Sequence, residues 1–166
     1  MKEIISGNAY VFSQDNIDTD QIYPGRYLEL TEPEDIVNHA MEGIDEDFVS
    51  RFKAGGIVVA GQNFGCGSSR EHAVITLKEL GVTGVIAESF ARIFFRNAIN
   101  LGVPIVECPG ISSKVKEQDE LEVNFIEGTI KNLTNGEVFQ GNKIDPVAYE
   151  ILSSGGIVEK IKNRKK

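Results

Sequence analysis

Between Gly56 and Glu107, three short apolar runs alternate with two helix-length segments, and no other feature constrains the fold as tightly. Gly56-Ile57-Val58-Val59-Ala60-Gly61 reads as a strand buried on both faces. Arg70 to Leu80 sets Ala73, Val74, Leu77 and Leu80 along one helical face, and Gly81 terminates it. Gly84-Val85-Ile86-Ala87 is the next strand. Ser89 opens a second helix that runs through Asn100 and stops at Gly102. Val103-Pro104-Ile105-Val106-Glu107 is the third strand, and its proline favours an edge or a strand end. A β-α-β-α-β order implies parallel pairing through right-handed crossovers. Sheets of this kind place ligands beyond the carboxyl ends of their strands.

The stretch Asn63-Phe64-Gly65-Cys66-Gly67-Ser68-Ser69-Arg70-Glu71-His72 occupies such an end. Gly65 and Gly67 permit the positive φ of a tight turn, and Ser69 is a candidate N-cap. The turn would present free N–H groups, two hydroxyls and a guanidinium at a helix N-terminus, a setting for a carboxylate or phosphate. Arg70 adds a planar fork for a bidentate carboxylate. The plainer alternative is a turn with a serine cap and nothing more. Cys66 fits a small buried filler, and His72 has no evident partner in the sequence. A dinucleotide site fails on detail: Arg70 stands where a third small residue is needed, and the Gly-Lys-Ser/Thr ending of a phosphate loop is absent.

Elsewhere the readings are local. Residues 2–12 suggest two short strands around a Gly7-Asn8 turn. Asp15 to Ile22 reads as a polar loop; its three aspartates lack the glycine and closing glutamate of a calcium loop. Tyr23-Pro24-Gly25 is a turn. Thr31-Glu32-Pro33-Glu34 predicts a capping box and a helix through about Met41, with Ile36, Val37 and Ala40 inward and His39 structural or exposed. Asp45 to Phe52 is a short connecting segment, with a helical turn as the alternative reading. From Leu121 the pattern becomes an antiparallel meander, with a hairpin at Asn135-Gly136. A helix over Pro146–Ser153 ends at Gly155-Gly156, and Lys160 to Lys166 holds five basic residues of a solvated helix end. The expectation is one α/β domain over residues 1–166, with a parallel β core, flanking helices and additional antiparallel strands.

Composition narrows the function. The 166 residues are 41% hydrophobic and 25% charged, enough for one real core. A net charge of −8 disfavours nucleic acid and anionic membrane surfaces as partners. Binding an anion then requires local arginines, for which Arg70, Arg92 and Arg96 are candidates. Two cysteines, Cys66 and Cys108, make neither a disulfide framework nor a metal-ligand spacing. With no membrane-length run and no signal-peptide h-region, a cytoplasmic enzyme or enzyme subunit is expected.

Asn63 to Ala73 closely resembles the swivel-domain signature of the aconitase superfamily; Ser89-Phe90-Ala91-Arg92-Ile93-Phe94-Phe95-Arg96-Asn97-Ala98-Ile99-Asn100 and Asp18-Thr19-Asp20-Gln21-Ile22 match two further blocks. The similarity covers nearly the whole chain. Its free-standing length is similar to the small subunits of the isopropylmalate dehydratase and homoaconitase type. The resemblance implies a swivelling β/β/α domain and a hydro-lyase that removes and re-adds water across a 2-hydroxy di- or tricarboxylate. It implies a large-subunit partner, in a heterodimer or heterotetramer, that carries a [4Fe-4S] cluster, with no metal on this chain. It makes Ser68 the base, Asp20 the aspartate that orients the network, and Ser69 and Arg70 the holders of substrate carboxylate. Tyr27, Leu28, Glu29 and Leu30 match a loop that faces the variable end of the substrate. Homoaconitase-like forms are expected to carry arginine at the position of Glu29, so an alkyl-substituted malate is the expected substrate, with Glu29 turned outward toward Arg26. Arg92 and Arg96 are expected to be structural ties. A non-catalytic dicarboxylate-binding module is the alternative of another class.

Overall fold

The computed structural model describes residues 3–164, so Lys2 of the first expected strand and Lys165 and Lys166 of the basic tail lie outside the described residues. The chain opens with one uninterrupted strand, β1 (Ile4–Phe12), rather than two strands around a turn. Gly7 pairs with Leu121 across the sheet, and a Cβ there would collide with the Gly55 carbonyl oxygen. Its glycine serves close backbone approach, which is the other meaning of a glycine inside a strand pattern.

The polar segment that follows is not all loop. It contains a one-turn helix, α1 (Thr19–Ile22), capped by Asp18. Gln21 N–H donates to Asp18 Oδ1 at 2.8 Å, and Asp18 N–H donates to Gln21 Oε1 at 3.0 Å. Gly25–Tyr27 forms a 3-10 turn. The helix expected to reach Met41 breaks early: α2 (Pro33–Ile36) gives way to a 3-10 turn over Val37–His39. Its N-cap is Glu32, with no side-chain cap, so the expected capping box does not form. Backbone bonds to α1 compete with the helix here. Met41 N–H donates to Ile22 O at 2.7 Å and Gly43 N–H to Gln21 O at 2.9 Å. Ile36 and Ala40 are buried, Val37 only partly.

The order is then α3 (Phe48–Arg51), β2 (Ile57–Ala60), α4 (Glu71–Leu80), β3 (Gly84–Ala87), α5 (Arg92–Asn100) and β4 (Ile105–Glu107). After a 3-10 turn at Ile111–Ser113 come β5 (Glu120–Asn124), β6 (Thr129–Asn132), β7 (Val138–Gln140), α6 (Pro146–Ser153) and α7 (Ile157–Arg164). Helix α5 starts at Arg92, not Ser89. Phe90 is held in a parallel bridge to Phe64, and the Ser89 hydroxyl accepts Asn63 N–H at 2.8 Å.

All seven strands form one sheet in the order β4-β3-β2-β1-β5-β6-β7. β1 through β4 pair in parallel, and β4, which follows Pro104, is an edge. β1 pairs antiparallel with β5 on its other side, and the meander continues antiparallel. Alternate residues of the buried strands feed two cores, as a period of two requires. Tyr10, Val58, Ala60, Val85 and Ala87 pack with Ala73, Leu77, Phe94 and Ala98 of the helices. Ile57, Val59, Ile86 and Val106 pack with Leu121, Val123, Phe125 and Ile130 of the curled meander. No helix among the described residues is long and apolar enough to cross a membrane.

Candidate active site

Strand β2 delivers the chain to the glycine turn. Gly65 and Gly67 have φ of +85° and +97°. The Phe94 ring of α5 lies where a Gly65 side chain would be, and Phe94 meets Phe64 edge-on at 5.1 Å. An aromatic floor thus sets the height of the turn. Its path is fixed from the other side by the segment before α1. Gly65 N–H donates to Ile17 O and Thr19 N–H to Cys66 O, both at 2.8 Å, and the buried Thr19 hydroxyl donates to Ser68 O at 2.9 Å. Two motifs far apart in sequence are stitched into one surface.

On that surface Ser68 and Ser69 are exposed and Arg70 is partly buried. Arg70, not Ser69, is the N-cap residue of α4, and it makes no side-chain cap. Among the described residues, no acceptor bonds the N–H groups of Ser68, Ser69 or Arg70. Arg70 Nη1 donates to Asp20 Oδ1 at 2.9 Å, and Gly25 N–H donates to the same oxygen at 2.7 Å. The Arg70 bond, then the Gly25 bond, holds the Asp20 carboxyl below its ordinary pKa of 3.8. The structure therefore gathers Ser68, Ser69, Arg70 and Asp20 at one open face. Free N–H groups and a guanidinium there can stabilise an anionic oxygen.

The Tyr27–Leu30 segment joins the same face. Leu30 O lies 3.0 Å from His72 Nε2 on α4. Glu29 and Leu28 are exposed, and Tyr27 and Leu30 are partly buried. Arg26 turns to Glu42, at 2.8 Å, and not to Glu29. Leu28 is thus the exposed apolar side chain of this loop. Sequence reasoning missed Thr19, Glu42 and the partners of both histidines. The signal for Glu42 was its spacing of three from His39; Thr19 lies within the block over residues 18–22, but nothing local marked its bond to Ser68. Arg92 and Arg96 are exposed and, among the described residues, form no ion pair, so the expected structural ties are not seen.

Cys66 is half-exposed on the turn, and Cys108 is buried, its thiol pKa pushed up by burial and then by the nearby Glu88. No group of three or more His, Cys, Asp or Glu side chains is gathered for a metal among the described residues. Such a pair does not supply the thiolate set that holds an iron–sulfur cluster.

The aconitase C-terminal domain profile matches residues 11–109. The isopropylmalate/citramalate isomerase small subunit of Methanocaldococcus jannaschii is 54% identical over 99% of this chain and 97% of its own length. The 3-isopropylmalate dehydratase small subunit 1 of Methanopyrus kandleri is 50% identical over 98% of this chain and 95% of its own. A crystal structure of 3-isopropylmalate dehydratase from Methanocaldococcus jannaschii superposes with a TM-score of 0.92 at 43% identity, covering 98% of this chain and 95% of that one. Thermococcus kodakaraensis aconitase X, at 16% identity and a TM-score of 0.52, shares the fold alone.

Proposed function

The chain belongs to the aconitase C-terminal domain family, and on that premise we propose that it is the small subunit of a 3-isopropylmalate dehydratase. With a large subunit it interconverts 2- and 3-isopropylmalate by loss and re-addition of water, in the cytoplasm. The observation that carries this reading is the joint placement of Ser68, Arg70 and Asp20 on one open turn. An iron–sulfur cluster on the large subunit supplies a Lewis acid for the departing hydroxyl.

This chain contributes the base and the carboxylate grip. Ser68 Oγ, as an alkoxide, takes the proton from the carbon beside a substrate carboxylate while the C–O bond on the adjacent carbon breaks. Rehydration runs the same transfer in reverse, from Ser68 to carbon. A serine hydroxyl is far too weak a base in water, so the free N–H groups and Arg70 must stabilise its anion in a closed site. Arg70 offers its remaining N–H groups to a carboxylate, and Asp20 fixes the plane of the fork.

The test is turnover by the chain reconstituted with its large subunit under anaerobic conditions. Isopropylmalate is expected to give a higher kcat/KM than homocitrate or citrate; faster turnover of homocitrate would overturn the assignment. Acceptance of citramalate is a second reading, supported by the name of the Methanocaldococcus jannaschii relative. The open loop agrees with it: an added methylene on apolar surface discriminates by only about 1–3 kcal/mol.

A further inference from the structure

Leu28 and Glu29 stand at the tip of their loop without a side-chain bond of their own among the described residues. The loop's internal turns are ordinary backbone bonds of 3.0–3.2 Å, from Tyr27 N–H to Pro24 O, Leu28 N–H to Gly25 O and Leu30 N–H to Tyr27 O. The side chains of Arg26 and Tyr27, just before the tip, are both held by one carboxylate. Glu42 Oε1 accepts the Tyr27 hydroxyl at 2.7 Å and Arg26 Nη2 at 2.8 Å. Glu42 Oε2 lies 2.6 Å from His39 Nδ1. An ionised carboxylate only accepts, so Nδ1 carries the proton. Burial works against the charge on Glu42, but the bonds from Tyr27, His39 and Arg26 outweigh it and leave its pKa lowered. The clasp is reinforced by stacking: the Tyr27 and His39 rings lie 3.5 Å apart at 12°, and the Arg26 guanidinium is 4.7 Å from the Tyr27 ring. On the other flank Tyr23 donates its hydroxyl to Tyr27 O at 2.7 Å and stacks on His72, the residue that meets Leu30 O.

We propose that Glu42 is a positioning residue: by clasping Arg26, Tyr27 and His39 it fixes the Gly25–Leu30 loop and thereby sets discrimination between larger and smaller alkyl malates. This rests on the loop facing the substrate's variable end. Glu42 sits behind the loop and needs no contact with substrate.

Glu42→Gln and Tyr27→Phe test it, each reconstituted with the large subunit and assayed on isopropylmalate and citramalate. An added methylene on a well-placed apolar surface is worth about 1–3 kcal/mol, so losing that placement should lower the ratio of kcat/KM for isopropylmalate to that for citramalate roughly tenfold in Glu42→Gln, mainly through KM. Tyr27→Phe should give a smaller fall, and the double variant one no larger than Glu42→Gln alone, because the two share a bond. Hydrogen exchange on the isolated chain should show the amides of Tyr27, Leu28 and Leu30 exchanging faster in both variants, with melting temperature reporting global stability. Unchanged exchange, an unchanged ratio, or equal losses on both substrates would overturn the proposal. A wild-type complex that turns over neither substrate would instead overturn the proposed function, and the exchange measurement would still decide the clasp.

Discussion

Asp20 keeps 66% of its side chain in water while it accepts from Arg70 and Gly25. An ion pair that exposed contributes about 0–1 kcal/mol to stability, so its value lies in geometry. Asp20→Asn should leave the melting temperature nearly unchanged and raise KM several-fold, as Arg70 loses its charged partner; an unchanged KM would remove Asp20 from the site. Ser68 is exposed and its side chain bonds nothing among the described residues. Ser68→Ala should therefore change stability by no more than about 0.5 kcal/mol. Kcat should fall by about 10²–10⁴ if Ser68 is the base, and a near-normal kcat would reduce it to a turn residue. At this scale the glycine turn was legible because its chemistry is contiguous in sequence. The bond from Thr19 to Ser68, spanning 49 residues, and the Glu42 clasp were not: neither leaves a periodic or local trace.

Among elements, the long and apolar ones were readable and the one-turn ones were not. Strands β2, β3 and β4 follow from short apolar runs, and α4 from its 3.6-residue face. A four-residue helix such as α1 cannot nucleate alone. It exists because Asp18 caps it and Met41 and Gly43 bond its carbonyls, which no window of sequence reveals. The entry to β5 is another such tertiary joint. Asp119 is buried, and its Oδ2 accepts Lys116 N–H at 2.9 Å and Asn132 Nδ2–H at 2.8 Å. The Lys116 bond, then the Asn132 bond, lowers its pKa from 3.8. A carboxyl lowered in the folded state stabilises fully above its unfolded pKa and loses that contribution as pH falls through the folded value. Asp119→Asn should cost about 1–3 kcal/mol near neutral pH, the worth of hydrogen bonds to a charged group, and the gap to wild type should close below pH 3.8. Denaturant melts at several pH values check this, and a gap independent of pH would mean that packing, not charge, is the cause.

At the scale of the whole molecule, β1 is the seam between a parallel half and an antiparallel half, and the site lies on the parallel side. Its proposed base and anchors, Ser68, Ser69 and Asp20, stand in water. An alkoxide base exposed to water would be protonated at once, and the proposed reaction takes the Lewis acid for its departing hydroxyl from the large subunit. Catalysis then needs a cover that supplies both dryness and the second half of the chemistry. The chain alone should show no turnover, and activity should rise with added chain to a plateau at a fixed ratio to the large subunit. Association and catalysis separate in a mixing experiment. Ser68→Ala removes one exposed hydroxyl and leaves the docking shape intact, so it should compete with wild type for a limiting amount of large subunit. Activity should fall in proportion to the fraction of Ser68→Ala chain in the mixture. An unchanged activity at excess variant would mean that Ser68 is needed for assembly rather than for proton transfer, and turnover by the isolated wild-type chain would remove the need for a partner altogether.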